Sequence, residues 1–108
     1  MTHAPLIATT RTAADNAADL ARWAARWCAA EGKASRLRDS LQTITAELRY
    51  IDAAVDGEED GADVLWAHRP AVWKEQQRLA GLVHDAEKEA AEALDQLRSY
   101  GVEPEALR

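Results

Sequence analysis

The chain has 108 residues, is 47% hydrophobic but only 6% aromatic, carries a net charge of −6 and holds one cysteine. Such a length allows one domain with a small core. An acidic balance lacks the basic footprint that phosphate backbones require, so nucleic acid is not expected as a partner. No apolar run approaches the roughly 18 residues of a membrane span, so no membrane is expected either.

Strong helix formers (Ala, Leu, Glu, Arg and Gln) dominate, and the prolines Pro5, Pro70 and Pro104 leave long uninterrupted stretches between them. Together with the lack of period-two alternation, this predicts an all-α chain. Residues 1–11 read as an N-terminal tail without the basic start and apolar stretch of a signal peptide. Cys28 has no internal partner, which points to a reducing, cytoplasmic setting. The Ala-rich, Arg-over-Lys composition suggests a high-GC genome, an actinobacterium or one of its phages.

The first helix is predicted over 12–55, with Thr10 or Thr12 as N-cap and Asp15 and Asp19 near the positive end of the helix dipole. Leu20, Trp23, Trp27, Ala30, Ala34, Leu37, Leu41, Ile44, Leu48, Ile51 and Val55 follow one another at alternating spacings of three and four. That is the coiled-coil period, and a helix of this span is roughly 65 Å long. Gly32 falls on the outward side of the heptad, where it does not interrupt the seam.

Residues 56–61 form an acidic turn, with Gly57 and Gly61 set among carboxylates. Asp60 or Asp63 is expected to cap the next helix. The second helix is predicted over 62–100, with a break or kink near 68–70, because Pro70 lacks a donor and disfavours helix at Arg69. Its seam runs Val72, Leu79, Val83, Ala86, Ala90, Ala93, Leu97 and Tyr100, with polar Gln76 filling one position. Gly101 and Pro104 end it, leaving 101–108 as a C-terminal tail.

A turn centred near residue 59 folds the helices back on each other. Trp23 and Trp27 then face Ala86, Ala90, Ala91 and Ala93, while Trp66 and Trp73 face Ala46, Ala53 and Ala54. Large against small suits close packing, and all four tryptophans are read as core. Residues 22–38 hold five cations against Glu31, and residues 85–95 hold five acids against Lys88, so antiparallel pairing sets opposite charges side by side. Such exposed pairs select register more than they stabilise.

The acidic segment invites three chemical readings. Asp56, Glu58 and Asp60 with Gly61 match the start of a calcium loop, but Ala67 stands where the bidentate Glu is needed and Asp63 where an apolar residue is needed. Glu58-Glu59-Asp60-Gly61-Ala62-Asp63-Val64-Leu65-Trp66 resembles the second acidic motif of the all-α nucleoside triphosphate pyrophosphohydrolases. That resemblance implies magnesium held between two acidic pairs, yet upstream stand only Glu47 and Asp52, on different helix faces. In size and layout the chain also resembles the small secreted hairpins of type VII secretion. Their Trp-x-Gly turn is replaced by Trp66-Ala67-His68, and Pro104 stands where their export signal places an acid after Tyr100.

His3, His68 and His84 do not cluster, and Cys28 reads as an inert, half-buried thiol. No catalytic residue, cofactor or metal is therefore assigned. The expected fold is a long antiparallel helical hairpin, completed into a four-helix bundle by oligomerisation or by a partner. Leu41 and Leu48 alternate with Ile44 and Ile51 along the seam, a combination that disfavours two-stranded packing in parallel coils. Trp73, Leu82 and Leu94 flank the second seam, more than one facing helix covers, and with Trp66 they are the expected interaction surface. The expected function is a non-enzymatic interaction or assembly protein, partnered by itself as a homodimer or by another protein. A cytoplasmic regulator or a phage virion component fits; a reduced pyrophosphohydrolase and a secreted hairpin are the alternatives.

Overall fold

The computed structural model describes residues 13–103 and 105. Two α-helices account for nearly all of them: α1, Ala13–Asp56, and α2, Ala62–Ser99. They pack along their lengths as an antiparallel hairpin. Asp19 meets Tyr100, Thr45 meets Gln76 and Asp52 meets Arg69, which centres the register near residue 60.

Helix α1 runs unbroken through Gly32. The expected caps Thr10 and Thr12, as well as His3 and Pro104, lie outside the described residues. At its far end the backbone N–H of Glu59 bonds to the carbonyl of Ala54 and that of Glu58 to Val55, the paired bonds of a Schellman motif. The left-handed residue is Glu58, at φ 51°, rather than a neighbouring glycine. The motif repeats after α2, where Val102 bonds to Leu97 and Gly101 to Arg98, with Gly101 at φ 79°.

Two expectations for α2 need correction. Neither Asp60 nor Asp63 supplies a side-chain cap: the N-cap is Gly61 at φ 80°, whose carbonyl accepts from Val64 and Leu65. Of the break or kink expected near 68–70, the break does not occur, since α2 continues through Pro70. Pro70 is exposed, so water can satisfy the carbonyl one turn earlier that loses its backbone donor.

The core is a single seam one side chain thick. At the open end Trp27, Ala30, Ala90, Ala93 and Leu97 form a buried cluster, with Leu20, Trp23, Ala24 and Leu94 packed against it. Large against small therefore holds at this end. Further along, Ala34, Leu79, Val83 and Ala86, then Leu48, Ile51 and Ala54, continue the buried row. Leu37, Leu41 and Ile44, which occupy seam positions of α1, remain half-exposed. Two helices in one layer have no third element to cover them.

Candidate interaction surface

A two-helix layer has two broad faces, and side-chain contacts sort the flanking residues between them. One face is marked by Asp52–Arg69, with Nε of Arg69 2.7 Å from the carboxylate, by Gln76 donating to Thr45 at 3.1 Å, and by Arg38–Glu87 at 3.4 Å. Trp66 belongs to this face because the Arg69 guanidinium lies over its ring, 5.6 Å from the centroid. Trp73, seven residues further along α2, falls on the same side. Leu94 does too, since it lines a shallow groove with Arg38 and Glu87. This is the tryptophan face.

The opposite face carries Tyr100 donating to Asp19 at 3.2 Å and Arg26 over the Trp23 ring at 5.0 Å. Near the turn it opens into a broad apolar groove of about 800 Å³ lined by Tyr50, Ile51, Leu65, His68 and Val72. Leu82, two heptads beyond His68, lies on this side.

The tryptophans divide by exposure. Trp27 is 3% exposed and Trp23 is half-buried, whereas Trp66 and Trp73 are 53% and 50% exposed. The expectation that all four are core, with Trp66 and Trp73 on Ala46, Ala53 and Ala54, is therefore wrong for the second pair. In heptad terms they flank the seam rather than lie in it, so a single facing helix covers only one side of each ring. Cys28 is exposed, not half-buried.

The expected surface residues do not form one patch. Trp66, Trp73 and Leu94 share a face, with Leu94 already half-covered by the core, while Leu82 is half-buried on the other. Tyr50, 61% exposed at an outward heptad position, is an exposed aromatic that the seam pattern does not single out. A second feature the sequence did not reveal is a concavity of about 580 Å³ on α1, lined by Arg38, Leu41, Gln42, Thr45, Ala46 and Arg49.

Charge separates the two faces further. The middle of the outer row of the tryptophan face reads Cys28, Ser35 and Gln42 on α1, and Gln77, His84 and Ala91 on α2, without Asp, Glu, Lys or Arg; towards the turn the same row continues to Arg49 and Asp56 on α1 and to Pro70 and Asp63 on α2. The corresponding rows opposite include Arg22, Arg36, Arg78, Asp85 and Glu92.

The acidic turn gathers no metal cage: among the described residues, no three His, Cys, Asp or Glu side chains come together as candidate ligands. His68 and His84 are exposed on separate turns. Of the upstream acids required by the pyrophosphohydrolase resemblance, Asp52 is engaged by Arg69. The hydrogen bond from Arg69 lowers the Asp52 pKa; partial desolvation opposes this and the Arg69 charge adds to it. Among the described residues, no helix is long and apolar enough to cross a membrane. Compared with protein-family models, with curated proteins and with solved structures, the chain matches none.

Proposed function

We propose that this chain is a non-enzymatic interaction or assembly protein that presents the tryptophan face of its hairpin to a protein partner. The observation that carries this reading is the pair Trp66 and Trp73, half-exposed two helical turns apart on one face. A tryptophan buries roughly 200 Å² when fully covered. The uncovered half of each ring is thus worth about 2.5 kcal/mol on contact, at about 25 cal/mol per Å². Two such anchors, seven residues apart on one face, suit an interface centre, where aromatic residues are enriched. A cytoplasmic binder and a virion component both fit this role.

The test is site-specific photocrosslinking in the native cell. A benzophenone side chain replacing Gln77, one turn from Trp73, should yield a discrete protein adduct. The same probe replacing Arg36 on the opposite face should yield none. Equal labelling from both positions, or no adduct from Gln77, refutes the proposal.

A further inference from the structure

We infer that the partner on the tryptophan face is a second copy of this chain, packed about a twofold axis parallel to the hairpin, with both acidic turns at the same end. The inference rests on the interaction reading above and adds an occupant and an orientation.

The argument begins with a knob and a hole at one height. Trp73 projects from α2 opposite the part of α1 that holds Thr45 and Arg49, given the register set by Thr45–Gln76 and Asp52–Arg69. On the same face α1 carries the concavity that runs from Arg38 to Arg49, and its turn-side rim, formed by Thr45 and Arg49, lies at that height. Within one hairpin the two features lie side by side and cannot meet. A twofold axis along the hairpin lays α1 of one copy over α2 of the other and brings each Trp73 onto the other copy's concavity. The interface is then isologous, with two identical knob-and-hole contacts.

Charge along the middle of the hairpins favours the same arrangement, whereas the two acidic turns, brought to one end, repel each other. Arg49 comes over the Trp73 ring of the other copy, a cation–π geometry like that already present between Arg69 and Trp66. Arg38 comes near the other copy's Glu87, repeating the pairing within each hairpin. In the middle of the outer rows, polar side chains without Asp, Glu, Lys or Arg meet, Gln42 over Gln77 and Ser35 over His84. Turning one copy end over end instead lays α1 on α1 and α2 on α2, so that no knob reaches a hole and the α1 arginines share one strip.

Area is sufficient. The face is two helices, about 20 Å, wide. About 40 Å of contact therefore covers some 800 Å² per copy, the standard size of a stable interface. The product is a four-helix bundle in which every neighbouring pair of helices is antiparallel. It also covers Leu41, which the single layer leaves half-exposed.

Sedimentation velocity of the full chain at micromolar concentration should show a dimer. Trp73→Ala should weaken it by about 100-fold or more, because one substitution removes two anchors, while helicity by circular dichroism is unchanged. A second pair of variants works without touching either core. Gln42→Lys with Gln77→Lys should dissociate the dimer, and Gln42→Lys with Gln77→Glu should preserve it. Orientation is read by electron spin resonance between labels on Glu59→Cys in a Cys28→Ser background. Turns at one end give a separation of about 2–3 nm, and turns at opposite ends about 6 nm.

A dimer indifferent to Trp73→Ala, or the long spin separation, overturns the inference. A monomer that nevertheless crosslinks through residue 77 to a different protein removes the second copy and leaves the interaction reading standing. A monomer with no crosslink removes both.

Discussion

Replacing Trp27 with alanine tests whether the hairpin is held by its open-end cluster. Trp27 is 3% exposed and lies among Ala30, Ala90, Ala93 and Leu97. Burial of roughly 200 Å² contributes about 5 kcal/mol. Alanine retains only a small part of this, and measured losses for Trp→Ala in cores run at about 3–5 kcal/mol. The upper half of that range is expected here, because the surrounding alanines have no side-chain atoms to swing into the void. A chain of this size has a total stability of about 5–15 kcal/mol, so Trp27→Ala removes about a quarter of it or more. Urea unfolding followed at 222 nm, at two protein concentrations, measures the loss separately from any association. Trp73→Ala, already half-exposed, serves as the internal control and should cost less than half as much where the protein is monomeric. A loss below about 1.5 kcal/mol for Trp27→Ala would refute the account of the core, since it lies under the measured range for buried aromatics.

Three further outcomes follow from the backbone and the charges. Glu58→Gly should stabilise by about 1 kcal/mol in thermal melts, because Glu58 occupies the left-handed region at φ 51° that glycine adopts without a Cβ penalty. Pro70→Ala should raise stability by about 1–2 kcal/mol by restoring a helical donor, part of the gain being offset by a freer unfolded chain; no change would mean that the helix has fully absorbed the proline. Asp52 has a folded pKa below its ordinary value of 3.8, so its stabilising contribution is present above that value and disappears as pH falls through the lower, folded one. Asp52→Asn should therefore lower the melting temperature at neutral pH and flatten its decline on the acid side, and an unchanged acid slope would show that the Arg69 bond is not maintained in solution.

Much of the architecture follows from local pattern. The three-four spacing from Leu20 to Val55 and from Val72 to Tyr100 dictates two long helices, because it brings apolar side chains onto one stripe only at helical pitch. The complementary charge of residues 22–38 and 85–95, with bulky Trp27 opposite Ala90 and Ala93, dictates their antiparallel register. Gly101 marks a helix end that any reading of caps identifies.

Elsewhere the pattern was silent or misleading. Pro70 predicts a break or a kink in α2; the helix is not broken there, because an exposed proline costs one hydrogen bond and the packing of residues on both sides outweighs it. Gly57 and Gly61 were both available for the left-handed end of α1, yet Glu58 took it, because the register of the whole seam fixed where α1 must stop. Least legible was the fate of the tryptophans. The sequence supports two readings of Trp66 and Trp73, core by their helical spacing and interaction surface by their place beside the seam, and a shift of one heptad position separates a buried ring from a half-exposed one. Trp27 lies in the seam and Trp66 and Trp73 lie beside it. Heptad position alone sets Trp73 beside the seam; how much of each ring the facing helix then covers depends on the azimuth at which the two helices meet, which tertiary packing settles.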